Sequence, residues 1–198
     1  MNHFFKSAAA ATIILAGLIS SSAIAAEKVP FAGIVIVPAS APPTAQIETA
    51  QPSFKRGKTI IYVSDKKPGS IIVNTKTNQL FYVLGLDRAV MYRVATAKKG
   101  FEWKGTNKVT AKTQWPDWRP PTEMLQRRPD LPAFMAGGPN NPLGARALYL
   151  GSTIYRIHGT NEPKSIGKAA SSGCIRMHNE DVTELYNFVK RGAEVTVM

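Results

Sequence analysis

Ile157-His158-Gly159-Thr160 and Ser171-Ser172-Gly173-Cys174-Ile175-Arg176-Met177 carry the only cysteine of this 198-residue chain and one of its 3 histidines. A thiol is mostly protonated near neutral pH and is nucleophilic only as thiolate, so a reactive cysteine needs a base or a positive field beside it. An imidazole can supply both. The fifteen residues between His158 and Cys174 are enough for a strand ending at His158, an irregular connection through Lys164, Gly167 and Ala169, and a tight turn presenting Cys174. Gly173 in that turn lets the backbone approach a substrate closely, and main-chain N–H groups around Gly173 and Cys174 are candidates to stabilise a tetrahedral oxyanion. This is a layout for acyl transfer on sulfur. The competing readings are an inert buried thiol and a core histidine.

The order His-Gly-Thr, then Ser-Ser-Gly-Cys-Ile-Arg-Met, resembles the catalytic motif of the L,D-transpeptidases, bacterial enzymes that remodel peptidoglycan. The resemblance implies Cys174 as nucleophile and His158 as general base. It also implies that Arg176 binds a substrate carboxylate or strengthens the oxyanion site; a structural pairing of Arg176 with Asp181 is the alternative. The family often carries histidine where this chain has Ser172, so a second imidazole near the thiol is missing. The Gly159 carbonyl is placed to accept the other imidazole N–H and fix its tautomer, a backbone substitute for the third member of a triad. The implied fold is mainly β, a two-sheet, partly open sandwich with one C-terminal amphipathic helix. The implied reaction is attack by Cys174 on a tetrapeptide stem of the wall, release of D-alanine, and transfer of the acyl group to an amine. No metal or organic cofactor is implied.

Three other readings compete. Water could resolve the same acyl-enzyme, giving an L,D-carboxypeptidase; an outer-membrane protein could be the acceptor; or the chain could be a non-catalytic wall-binding module.

The strand pattern places a catalytic domain over 58–198. Thr59–Val63, Ser70–Asn74, Leu80–Leu84, Val90–Ala97 and Lys108–Thr113 are β-rich, with a hairpin about the polar turn Thr75–Gln79. A second hairpin about Gly151-Ser152 joins Ala147–Leu150 to Thr153–Ile157 and delivers His158 at its end. Thr122–Arg128 reads as a helical turn. Trp115 and Trp118 lie in a proline-dense segment that excludes a central strand or helix and leaves them to cover a core edge or line a groove. Gly137-Gly138-Pro139-Asn140-Asn141-Pro142-Leu143-Gly144 is a shaped loop, similar to one near the active site in the resembled family, or else a simple chain reversal. Near the end, Asn179 is a candidate N-cap, and Glu180 and Asp181 suit the first turn of a helix. Val182, Leu185, Tyr186 and Val189 share one helical face, Gly192 ends the helix, and Glu194–Met198 is a last strand. His178 is assigned a surface or local structural role.

Residues 1–25 read as a signal peptide. Lys6 is the positive n-region, Ser7–Ile19 the apolar run and Ala23-Ile24-Ala25 the cleavage site; Ser20-Ser21-Ser22 ends the run short of the ~20 residues of a span. Residues 26–57 are a Pro/Ala-rich linker, apart from the apolar Gly33–Val37. Export to the periplasm, with the membrane met only in transit, is the expectation. A single cysteine there cannot form an internal disulfide. The formal net charge of +12 suits anionic partners, which outside the cytoplasm means wall peptides with free carboxylates, teichoic-type polymers or lipid headgroups rather than nucleic acid.

Overall fold

The computed structural model describes residues 53–198. The expected signal peptide and nearly all of the expected linker lie outside the described residues.

Eleven strands and two helices make up the described fold. Strands β1 (Lys58–Ile61), β2 (Ile71–Asn74), β3 (Gln79–Gly85) and β4 (Arg88–Arg93) are followed by β5 (Thr96–Ala97), β6 (Gly105–Gln114) and helix α1 (Thr122–Arg127). Then come β7 (Arg146–Leu150), β8 (Arg156–His158), β9 (Ala169–Ser171), β10 (Ile175–Arg176), helix α2 (Asn179–Phe188) and β11 (Glu194–Val197). Nine strands are hydrogen-bonded in the order β1-β4-β3-β2-β11-β6-β7-β8-β10, and β5 pairs with β9 separately. The fold is mainly β with a C-terminal helix.

Strand β6 joins the two halves of the long sheet. Its first residues pair with β11 and its later ones with β7, with a register shift between Val109 and Ala111. A bulge increases local twist and bends the strand, so side chains from both halves can meet in one core. Ile71, Val73 and Leu80 on one half, Leu148, Leu150, Ile157 and Ile175 on the other, and Val182 and Leu185 of α2 are all buried there. Along β2 the residues alternate. Ile72 points away from that core and packs with Phe81, Val83 and Ala89 in a smaller cluster on the other face.

Local chemistry explains the turns. Asn74 Oδ1 accepts from the N–H groups of Lys76 at 3.0 Å and Thr77 at 3.2 Å, an Asx turn that closes the β2–β3 hairpin in the Asn74↔Gln79 register. The expected strand over Val90–Ala97 is broken in two. Beyond Arg93 the backbone changes partners: Ala95 bridges Arg176 and Thr96 pairs with Ala169. Strand β8 starts at Arg156, not Thr153, because Thr153 Oγ1 donates to the Leu150 carbonyl at 2.6 Å and accepts from Tyr155 N–H at 3.1 Å, lengthening the turn.

Helix α2 begins and ends differently from the sequence expectation. Its N-cap is His178, and Asn179 is the first helical residue. It stops at Phe188, well before Gly192, where Lys112 Nζ donates to the carbonyls of Tyr186 and Val189, both at 2.6 Å. An ammonium at that terminus satisfies orphan carbonyls and favours the dipole, so no glycine is needed there.

Glu184 on α2 ties down the start of the domain. Its carboxylate accepts from the N–H groups of Lys55 at 2.6 Å, Arg56 at 2.9 Å and Gly57 at 2.9 Å, and from the Tyr92 hydroxyl at 2.8 Å. Burial opposes the charge, but the hydrogen bonds from Gly57, Arg56, Tyr92 and Lys55 outweigh it and hold the carboxyl below its usual pKa. A depressed folded-state pKa stabilises the fold above the unfolded value of about 4.3 and ceases to do so as the pH falls through the folded one. Glu184→Ala is expected to cost about 1–3 kcal/mol at pH 7. In urea unfolding the variant loses less stability than wild type between pH 5 and pH 3; an equal loss in both would show that another carboxylate carries the acid sensitivity.

Candidate active site

The site is built on the parallel β8–β10 pair, where Ile175 faces Ile157 and Arg176 faces His158. Successive strand residues point to opposite faces. Ile157, Ile175 and Met177 enter the core, which turns Arg156, His158, Cys174 and Arg176 to the other face. These four side chains line one cavity of about 320 Å³, together with Ser171, Ser172 and Tyr155. Trp118, Met124, Leu131 and Pro142 supply apolar wall, and Asn140 and Leu143 bring the turn-rich loop to the rim. The loop is held by Asn141, whose amide donates to the carbonyls of Met135 at 3.1 Å and Ala136 at 3.0 Å and accepts from Leu143 N–H at 2.8 Å.

His158 is 4 % exposed. Its Nδ1 lies 2.6 Å from the Gly159 carbonyl oxygen; a carbonyl only accepts, so Nδ1 carries the proton and Nε2 keeps its lone pair. Burial pushes the imidazole down to about 3, helped by the positive charges of Arg176 and Arg156 and opposed by the Gly159 and Leu143 carbonyls. The resting ring is neutral. Cys174 is partly buried, and its Sγ–H donates to the Ile154 carbonyl at 3.8 Å. Burial pushes the thiol up, against the pull of Arg156 and Arg176. Among the described residues, no hydrogen bond joins Cys174 to His158. The resting site is therefore a neutral thiol and a neutral base facing one cavity.

The turn that carries Cys174 is held from three sides. Ser171 Oγ donates to the Cys174 carbonyl at 2.5 Å and accepts from Gly173 N–H at 3.2 Å. Trp103 Nε1 donates to the Gly173 carbonyl at 2.7 Å, and its ring stacks on Tyr155 at 4.5 Å. Gly173 has φ +113°, and a Cβ there would lie 2.4 Å from the Tyr155 ring. The Gly173 N–H, expected to serve an oxyanion, is thus already engaged by Ser171 Oγ. Ser172 lies at the cavity wall beside it.

Arg176 does not pair with Asp181. Its Nη1 meets Glu162 Oε2 at 2.7 Å, while Asp181 takes Arg56 at 3.0 Å. Asn179, expected as a cap, is a staple: its Oδ1 accepts from the N–H groups of Ala145 at 3.0 Å and Thr160 at 3.1 Å, and its Nδ2 donates to the Thr160 carbonyl at 3.0 Å. Gly159 leaves room for that amide, since a Cβ at this position would lie 2.1 Å from Asn179 Oδ1. Trp103, Tyr155 and Arg156 are site residues that the sequence did not single out, while Ser171 was named only as part of the motif and Asn179 only as a helix cap. The nearness of Tyr155 and Arg156 to His158 in the chain is the one signal that could have flagged two of them.

A family profile described as the L,D-transpeptidase catalytic domain (YkuD) matches residues 68–197. The chain belongs to that family. It is 37% identical over 133 residues to YqjB of Bacillus subtilis (strain 168), provisionally named an L,D-transpeptidase, covering 64% of this chain and 69% of that protein. The aligned segments span half or less of the length of other curated relatives. Among solved structures, the catalytic domain of an E. faecium L,D-transpeptidase shares the fold, with TM-score 0.53 and 18% identity over 68% of this chain and 100% of that one. A Brucella melitensis protein described as a probable carnitine operon oxidoreductase is 41% identical, with TM-score 0.50 over 76% of this chain and 97% of that chain. Its name differs in kind from the others.

Proposed function

We propose that this protein is an exported cysteine transpeptidase of the periplasm that acts on peptidoglycan stem peptides. The observation that carries the reading is the shared cavity of Cys174 and His158 on one face of the β8–β10 ladder. Its volume of about 320 Å³ suits a short peptide segment. Its walls stay positive overall, with Arg176 paired to Glu162, Arg128 to Asp130 and Arg156 without a carboxylate partner among the described residues, which suits a donor with free carboxylates.

Substrate entry brings a stem-peptide carbonyl against Cys174. The S–H bond breaks as the C–S bond forms, with the proton passing to His158 Nε2 and negative charge moving to the carbonyl oxygen. Because burial and two arginines disfavour a charged His158, the imidazolium gives its proton readily to the leaving amine of D-alanine. The thioester then waits for a second amine, which His158 deprotonates as it attacks. The Gly159 carbonyl holds the ring in the tautomer both steps require.

The test is product analysis with a tetrapeptide stem, with and without an acceptor amine. D-Alanine release and a new amide to the acceptor are expected; a protein that yields neither is not this enzyme. Release without amide formation, at any acceptor concentration, would make it a hydrolase.

A further inference from the structure

We propose that Arg156 is a second activating group of the reaction centre, placed so that its guanidinium receives the negative charge of the Cys174 sulfur as the proton leaves. The inference rests on the reading of Cys174 as nucleophile, but it concerns a residue outside the motif that identified the cysteine.

Three observations converge on Arg156. The β8–β10 register sets Arg176 against His158, and one alternation back along both strands sets Cys174 against Arg156 on the cavity face. Both side chains then reach the same acceptor: Arg156 Nη1 donates to the Ile154 carbonyl at 3.2 Å, and Cys174 Sγ donates to it at 3.8 Å. Guanidinium and sulfur lie side by side around one oxygen. Finally, Arg156 Nε is buried and has no hydrogen-bond partner. A buried donor left unpaired calls for an explanation, since desolvating it is costly.

The other cations of the cavity differ. Arg176 is neutralised by Glu162 at 2.7 Å and Arg128 by Asp130 at 2.6 Å. Among the described residues, no carboxylate pairs with Arg156; its guanidinium lies over the Tyr149 ring, 5.3 Å from the centroid. The charged and titratable groups lining the cavity with Cys174 are Arg128, Tyr155, Arg156, His158, Glu162 and Arg176. Of these, Arg156 is the unneutralised cation beside the sulfur, and it is the largest influence favouring thiolate against burial.

The step balances as follows. The S–H bond breaks, its proton moves to His158 Nε2, and the sulfur pair forms the new C–S bond. Arg156 neither gains nor loses a proton; it stabilises the charge while it resides on sulfur. A neutral, buried imidazole is a weak base, and Arg156 adds to that weakness less than burial and Arg176 do; its larger role is at the sulfur, where it is the first influence opposing burial.

The experiment follows alkylation of the intact protein by iodoacetamide, a neutral probe, across pH. Arg156→Met is expected to raise the thiol inflection by about one pH unit and slow alkylation at pH 7 roughly tenfold, while Arg156→Lys, which keeps the charge, stays within about threefold of wild type. Arg156→Gln reads the same neutralisation if the methionine variant does not fold, with thermal melting as the control. A neutral variant whose profile superimposes on wild type overturns the proposal, as does a lysine variant as slow as the neutral ones. The assay needs no stem peptide, so a wrong substrate assignment would leave these outcomes unchanged. A wild-type Cys174 that resists alkylation throughout would sink both readings together.

Discussion

Cys174→Ala is expected to abolish covalent capture of a carbapenem, read by intact mass, whereas His158→Ala keeps the adduct but forms it roughly 10²–10⁴-fold more slowly. The asymmetry follows from the site. In the proposed reaction the sulfur is the one atom that bonds to the acyl group, and nothing replaces it. The imidazole there only moves a proton, which solvent moves less well. The resting thiol donates to the Ile154 carbonyl at 3.8 Å rather than to His158, so the two do not form a standing ion pair. His158, pushed down to about 3, is uncharged across the neutral range. The acylation rate of wild type should therefore show no break near the ordinary histidine value of 6.5 and should rise with pH toward a thiol inflection above the usual cysteine range. A clear break near 6.5, or equal rates with and without His158, would remove its role as base.

Gly173→Ala should be nearly as damaging without touching a reacting atom. Its φ of +113° is a conformation that side-chain-bearing residues rarely adopt, and the added methyl would lie 2.4 Å from Tyr155 Cε1. The Tyr155 ring cannot simply swing away, because Trp103 stacks on it at 4.5 Å and Trp103 is anchored to the Gly173 carbonyl at 2.7 Å. Strain of this kind costs about 1–3 kcal/mol, and a shift of the turn by about 1 Å costs roughly 10² in reaction rate. The expected result is a folded protein with a lower melting temperature and at least a hundredfold slower adduct formation. A variant that acylates at the wild-type rate would show that the turn tolerates a side chain and that the aromatic brace is not what positions Cys174.

The features legible in the sequence were those encoded by neighbours in the chain. β-Branched runs such as Ile71-Ile72-Val73, the polar hairpin turn after Asn74 and the apolar face of α2 are local preferences, and each appeared near its expected place. The two-residue strands β5 and β10 have no periodicity to read. They exist because Thr96 and Ala97 pair with Ala169 and Ser171 and because Ile175 pairs with Ile157, partners supplied by other segments of the chain. Helix ends were misjudged for the same reason: Asn179 looks like a cap, yet Ala145 and Thr160 engage its amide, and Lys112 from a distant strand closes the other end.

By itself the sequence determined which atoms could do chemistry: one sulfur, the imidazole of the His158-Gly159-Thr160 motif, and a glycine turn, all matters of residue type, order and spacing. Only the tertiary structure decided how those atoms are tuned. It buried His158 into neutrality, gave the Gly173 N–H to Ser171, sent Arg176 to Glu162 and set Arg156 beside the thiol. Protonation, hydrogen-bond partners and local field depend on what surrounds a group in space, and that surrounding is assembled from segments that the linear order keeps far apart.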